Sequence, residues 1–346
     1  MKLTSVHTDG GRLNVRPVAR GEAVEVRKAP VVARTVDAII AAWNRSDTIE
    51  RAVLSALAEP EVRHVIVVDD GSSDDTAARA GQCGAKEGRV IVEQLPSNLG
   101  PAAARNVALE ISTAPWVAVL DGDDFFLPGR IRRLLAKADE WDFVADELLQ
   151  IHADRVGNET PTPTPSDRHF EPWSLGLEQF VLGNVRRYSI LRKELGFLKP
   201  LIRRSFLDHH HLRYDEALRL GEDYALYARA LALRARFLVI PAEGYASVVR
   251  ADSISGRHDK RDLERLRDSD LELTVSRTLT PRERRALKKH YLSVDCRVQW
   301  LTVIEALKSR RYAQFLAAFC RSPKVSLFLM IRLFEQVCQR VVKTFI

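Results

Sequence analysis

Residues 65–76 read VIVVDDGSSDDT, and this stretch decides the fold. Val65 to Val68 is a short, mostly β-branched apolar run of the kind that forms a buried strand. It stops at Asp69-Asp70-Gly71-Ser72-Ser73, a cluster of turn formers, and Asp74-Asp75-Thr76 then leads into a helix. The same punctuation repeats on both sides. Upstream, Val36 to Trp43 (VDAIIAAW) is a strand. Asn44-Arg45-Ser46-Asp47 then offer cap residues for a helix to about Ala58, with Ile49, Val53, Leu54 and Leu57 on one face. Downstream, Arg89 to Leu95 is a third strand, and Asn98-Leu99-Gly100-Pro101 turns into a helix with Pro near its first position. Trp116 to Leu120 is a fourth strand that runs directly into Asp121-Gly122-Asp123-Asp124. Strand and helix alternate at βαβ spacing, so the first half is α/β, a mostly parallel doubly wound sheet.

In such sheets ligands bind beyond the carboxyl ends of the strands. Three strand ends carry polar groups here: Asn44, then Asp69 and Asp70, then Asp121 and Asp123. The second half is less regular. Thr160 to Pro165 alternates Thr and Pro and reads as a loop, and 200–208 reads as helical. Leu220-Gly221-Glu222-Asp223 opens a helix to Leu233, Phe237 to Ile240 is a strand, and from about Lys260 the pattern is helical, broken by Pro281 and Pro323. The organisation expected is a polar N-terminal extension (1–33), a catalytic α/β domain (34–255, its halves 34–125 and 126–255) and a basic helical C-terminal region (256–346).

The 346 residues, 46% of them hydrophobic, are enough to bury a large core. The net charge of +7 is unevenly placed: residues 280–346 hold 14 Lys+Arg against 4 Asp+Glu, and residues 1–279 hold 39 against 42. A basic end suits a membrane surface, a nucleic acid or simply water. The stretch from Val325 to Ile346 carries apolar residues at 327, 330, 331, 334, 338, 341 and 345 with Arg332, Arg340 and Lys343 among them. Such a basic amphipathic helix lies in a membrane interface, docks on the catalytic domain or meets a second subunit. The four cysteines form no metal-ligand spacing. With no apolar signal core and no run of ~18 apolar residues, the expected location is cytoplasmic, peripheral on the inner face of the cell membrane where the helix binds it.

An Asp-x-Asp after an apolar strand holds a hard divalent cation such as Mg²⁺ or Mn²⁺, and these ions usually share their coordination with substrate phosphates. Asp-Gly-Asp is equally a common turn, so Asp121 to Asp123 decides nothing alone. The ordered set IIAAWN (39–44), VIVVDDGSSDDT (65–76), NLGPAAARN (98–106), VLDGDDFFLP (119–128) and LGEDYALYARAL (220–231) does. Together these resemble glycosyltransferase family 2, of GT-A fold, over Val36 to Val249. ALAEPEV (56–62), GPAAARN (100–106) and DDFFLPGR (123–130) are similar to bacterial exopolysaccharide glucosyltransferases of the succinoglycan type.

The resemblance implies an inverting, metal-dependent transfer of a hexose, glucose from UDP-glucose, to a lipid-linked saccharide acceptor, with no nucleic-acid partner. It implies that Ala42, Asn44, Asp70, Arg105 and Asp121 meet the nucleotide, with Asp70 on the uracil ring; that Asp123 binds Mg²⁺ or Mn²⁺; and that Asp223 is the catalytic base, with Glu222 its rival. Each has a plainer reading: Asp70 capping the following helix, Arg105 in a salt bridge to Asp70 or Asp121, Asp223 favoured by a helix dipole. The usual Pro before the first strand's end is missing in Ala41-Ala42-Trp43-Asn44, which bears on backbone shape, and Trp43 is assigned to the core. Asp146, Arg203 and Arg204 are further candidates for acceptor or donor-sugar contacts. His209-His210-His211 lacks helical metal spacing and reads as a loop near the acceptor. Among other classes, a nucleotidyltransferase needs a Gly-rich phosphate loop absent from AAWNRSD, and a receiver domain leaves Asp123 and Asp223 unexplained. A different donor sugar, or a catalytically inactive scaffold on the same fold, is the alternative.

Overall fold

The computed structural model describes residues 34–85, 88–163, 171–185, 195–250 and 259–344, with side chains up to 338. The N-terminal extension, the end of the Thr-Pro loop, the boundary near 255 and the apolar positions 341 and 345 lie outside the described residues and side chains.

In chain order the strands are β1 (Val36–Ala42), β2 (Val62–Asp69), β3 (Val90–Gln94), β4 (Trp116–Asp121), β5 (Phe125–Phe126), β6 (Phe143–Asp146), β7 (Leu149–His152), β8 (Thr162–Pro163), β9 (Trp173–Ser174), β10 (Leu201–Arg203), β11 (Phe237–Ile240) and β12 (Tyr245–Val249). The helices are α1 (Ile49–Leu57), α2 (Thr76–Gly84), α3 (Pro101–Ile111), α4 (Arg130–Leu135), α5 (Leu177–Gly183), α6 (Arg204–His209), α7 (Glu222–Ala232), α8 (Lys260–Thr274), α9 (Pro281–Lys308), α10 (Tyr312–Phe319) and α11 (Pro323–Thr344).

The main sheet runs β3-β2-β1-β4-β10-β6-β11-β9, and a smaller one runs β5-β12-β7-β8. β3, β2, β1 and β4 are parallel, as the βαβ spacing predicts. Beyond them the sheet is mixed, because β10 inserts antiparallel between β4 and β6. Both faces of β1, β2 and β4 are covered, which is why these strands read as apolar runs. Ala38, Ile40, Val65, Val67 and Ala118 pack on one face with α1 and α4. Ile39, Ile66, Val117 and Val119 pack on the other with α3 and α7. Leu263 and Leu266 of α8 and Leu287 of α9 join that second core, so the C-terminal helices are built onto the sheet. α9 opens with a reciprocal Thr280–Glu283 capping box and Pro281 in its first turn.

One element is corrected. Residues 200–208 are not one helix: Leu201 to Arg203 form β10 and the helix begins only at Arg204. Leu201 and Ile202 are buried, and their backbone groups bridge β4 and β6, so a sheet position outweighs local helix preference.

Candidate active site

The ends of β1, β2 and β4 are level, since Ala42 pairs with Asp69 and Ala41 with Asp121. The loops that leave them are tied together. Asn44 sits at φ 50°, a left-handed conformation that its short amide tolerates. Its N–H donates to Ser72 Oγ (2.8 Å), its side-chain oxygen accepts from the Ser73 N–H (2.9 Å), and the Ala42 carbonyl accepts from the Asp70 N–H (2.8 Å). Asp70 does not cap α2, whose cap position is Asp75. Its buried carboxylate accepts the Leu99 N–H (2.7 Å) and the Gly100 N–H (2.9 Å), fixing the entrance to α3.

α3 carries Arg105 to the end of β4, where a five-membered ionic cluster forms. Arg105 donates from Nη2 to Asp121 Oδ1 (2.8 Å) and from Nη1 to Glu222 Oε1 (2.6 Å), and Nη1 lies 3.5 Å from Asp223 Oδ1. Lys199 Nζ lies 2.7 Å from both Asp121 Oδ2 and Asp223 Oδ2. Two cations thus clamp the end of β4 to the start of α7. Gly221 makes the approach of α7 feasible: it sits at φ 73°, and a Cβ there would lie 2.8 Å from Leu266. The cation of Arg105 also lies over the Tyr214 ring at 5.5 Å.

The electrostatics follow from this crowding. Burial pushes the Asp121 carboxyl up, but the Lys199 and Arg105 charges outweigh it and hold it well below the usual carboxylate range. Burial would strip Lys199 of its proton; Asp121 and Asp223 reverse this and raise it. Burial raises Glu222 despite Arg105. Burial and the Asp121 charge raise Asp123, and burial with the Asp121 and Asp123 charges pushes Asp124 up to about 8.

These shifts bear on a metal. Both Asp121 oxygens face cations, and Asp124 accepts from the Tyr245 hydroxyl (2.8 Å) and the Val248 N–H (2.8 Å). Asp123 is the least committed carboxylate, with Arg45 Nε at 3.3 Å and a side chain 26% exposed. Among the described residues no group of three or more His, Cys, Asp and Glu is arranged to hold an ion by itself. One open carboxylate beside Asp121 and Asp124 fits a divalent cation that takes its remaining ligands from a diphosphate.

Asp223 is buried, and its Oδ1 has no hydrogen-bond partner among the described residues. Arg105 Nη1 at 3.5 Å pairs with it only as a charge, which leaves that oxygen able to accept from a further donor.

Of the residues singled out in the sequence, Arg105, Asp121, Glu222 and Asp223 converge, with Asp123 beside them, and Ala42, Asn44 and Asp70 build the adjoining loops. Three others do not belong. Asp146 is fully buried and spent: it accepts from Arg130 Nε (3.0 Å) and Nη2 (2.7 Å) and from the Gly244 (2.8 Å) and Tyr245 (3.0 Å) N–H groups. Its role is to hold β6 to the start of β12. Asp146→Ala, which leaves Arg130 buried without its anion, is expected to destabilise the fold by about 3–5 kcal/mol, read as a lower urea-unfolding midpoint; an unchanged midpoint contradicts this assignment.

Arg203 and Arg204 lie at the other end of the sheet, because Arg203 pairs with Trp116 while Asp121 ends the same strand. Arg203 donates to the Ala138, Asp139 and Trp141 carbonyls and Arg204 to those of Ala114 and Leu109, so both anchor loops. Trp43 is 42% exposed: the strand ends before it and the turn at Asn44 lifts it off the core. His209 ends α6 and His210 packs on Phe206 with ring centres 4.5 Å apart, so the first two of the three His belong to a helix end.

Lys199 was not among the candidates. Its only trace in the sequence is a single cation inside the apolar run GFLKPLI (196–202), where a charge must find partners if the run is buried.

Residues 37–194 match the family model described as Glycosyl transferase family 2. The succinoglycan biosynthesis protein ExoU of Rhizobium meliloti (strain 1021) is 49% identical over 259 residues, which cover 73% of this chain and 73% of the relative. ExoO of the same organism, also a succinoglycan biosynthesis protein, is 39% identical over 222 residues, 63% of this chain and 61% of the relative. Among solved structures, S. aureus TarS 1–349 in complex with UDP-GlcNAc superposes with a TM-score of 0.55 at 18% identity, covering 81% of this chain and 89% of that one.

Proposed function

Because the chain belongs to glycosyltransferase family 2, we propose that it transfers a hexose, glucose from UDP-glucose, with inversion onto a lipid-linked saccharide of a succinoglycan-like exopolysaccharide. The observation that carries the reading is the Oδ1 of Asp223, which accepts no hydrogen bond among the described residues though Arg105 lies 3.5 Å away, in the Asp121–Arg105–Lys199 cluster.

Asp223 takes the proton of the acceptor hydroxyl as that oxygen attacks the anomeric carbon. The bond from the anomeric carbon to the diphosphate oxygen breaks, and UDP leaves with the electron pair. One displacement needs one base, and the new bond forms on the opposite face of the sugar. Arg105 and Lys199 place two fixed cations beside Asp121 and Asp223. The tied loops after β1 and β2, with Ala42, Asn44 and Asp70, form the wall for the nucleotide, and Asp70 reads its uracil. Asp123 holds Mg²⁺ or Mn²⁺, which when bound supplies positive charge to the diphosphate. The enzyme works at the inner face of the cell membrane, where a lipid-linked acceptor is presented.

The test is a panel of nucleotide-sugars with Mg²⁺ or Mn²⁺, followed by release of nucleoside diphosphate. UDP-glucose is expected to give the fastest release, and an acceptor-linked product of opposite anomeric configuration. Release from another nucleotide-sugar alone, or retention of configuration, overturns the donor or the mechanism respectively.

A further inference from the structure

The C-terminal pair of helices is apolar on two opposite sides. Inward, Ala318 of α10 and Val325 and Leu329 of α11 are buried against Cys296 and Val303 of α9. Outward, Tyr312 and Leu316 on α10 and Leu327, Met330, Phe334 and Val337 on α11 are 54–71% exposed. The outward positions repeat at helical spacing, so each helix presents one stripe. Scattered exposed apolar residues are ordinary, but aligned stripes on two adjoining helices are not. The α11 stripe seen in the sequence is therefore the side that faces away from α9.

The charge around these stripes is one-sided. From Ser309 to Ile346 there are seven Lys+Arg and one acidic residue, Glu335, which pairs with Arg332. Lys308, Arg310, Arg311 and Lys324 are exposed and form no ion pair among the described residues. Arg310 and Arg311 directly precede Tyr312, and Lys324 lies one turn before Leu327. No described helix is long and apolar enough to cross a membrane.

We propose that the outer face of the α10–α11 pair is an interfacial docking surface for a bilayer rich in anionic lipid. Leu316, Leu327, Met330 and Phe334 enter the acyl boundary, and Arg310, Arg311 and Lys324 meet lipid phosphates. A second copy of the chain fits less well, because a face-to-face pair brings two sets of like charges together. The surface deepens the reading of a lipid-linked acceptor and rests on it, yet it uses no residue of the Asp121–Asp223 cluster, so the two can fail separately.

The experiment is co-sedimentation of the full chain with vesicles of phosphatidylglycerol and phosphatidylethanolamine in equal parts, against vesicles of phosphatidylcholine. Leu327→Ser/Met330→Ser/Phe334→Ser and Arg310→Glu/Arg311→Glu/Lys324→Glu are compared with the unaltered chain. Light scattering gives the oligomeric state, and nucleoside diphosphate release in solution is assayed in parallel. The unaltered chain is expected to bind the anionic vesicles preferentially. The triple serine variant should lose binding by roughly tenfold per apolar side chain, and the charge-reversed variant should lose the preference for anionic lipid. Both should keep donor turnover in solution. Equal partitioning of all three proteins overturns the proposal, as does a dimer that dissociates in the serine variant while vesicle binding is absent. Loss of donor turnover in the unaltered chain counts against the transferase reading and leaves the vesicle result to stand by itself.

Discussion

Asp223→Asn is expected to lower sugar transfer about 10²–10⁴-fold, with little change in the affinity for UDP. The substitution is nearly isosteric. An amide oxygen can still accept from Lys199, 2.7 Å away, so the link between β4 and α7 is kept. What disappears is the capacity to take a proton at Oδ1, which accepts no hydrogen bond among the described residues. Steady-state rates with UDP-glucose and acceptor, together with calorimetry of UDP binding, separate the two effects. Glu222→Gln is the informative control. The Glu222 oxygen already accepts from Arg105 at 2.6 Å, so its loss loosens Arg105 without removing an open acceptor. A smaller fall in rate is expected there. Full activity in the Asp223 variant, or a deeper loss in the Glu222 variant, moves the base to Glu222.

That these two carboxylates share one helical turn was legible in the sequence, because LGEDYALYARAL contains its own start signal and apolar face. The parallel half of the sheet was legible for the same kind of reason: β1, β2 and β4 are buried on both faces, so their composition is local evidence of their state. What escaped was set by partners distant in the chain. Leu201 to Arg203 are a strand only because β4 and β6 leave a gap between them. Asp146 has the look of a polar group at a strand end, but Arg130 sits sixteen residues earlier and consumes it. Arg203 and Arg204 resemble acceptor or donor-sugar contacts until the antiparallel register carries them to the wrong end of the sheet. For Arg105 the sequence offers the nucleotide or a salt bridge to Asp70 or Asp121, and of the two carboxylates it is Asp121 that it meets. Lys199 had no motif at all: its importance arises from two carboxylates 78 residues before it and 24 after it.

Lys199→Met is accordingly the change expected to reach furthest. Lys199 is buried and 2.7 Å from both Asp121 and Asp223. Methionine fills a similar volume but carries no charge, so Arg105 becomes the one cation touching three carboxylates. Loss of one partner from a buried ionic cluster costs about 3–5 kcal/mol of stability. The pH dependence has a definite sign. Asp121 is held below its ordinary range in the folded protein, so its contribution is complete above the unfolded carboxylate pKa of about 4 and is lost as pH falls through the folded value. The stability gap between the unaltered chain and the variant should therefore be widest at neutral pH and narrow in acid. Catalysis should respond separately. With one of the two cations that hold Asp121 below the usual carboxylate range gone, the acid limb of kcat/KM should move to higher pH. Lys199→Arg restores the charge without the fit, so it should bring back most of the limb and only part of the rate. A merely structural lysine predicts a less stable enzyme with an unmoved pH profile. That outcome removes Lys199 from the reaction and leaves Arg105 as the cation beside the base.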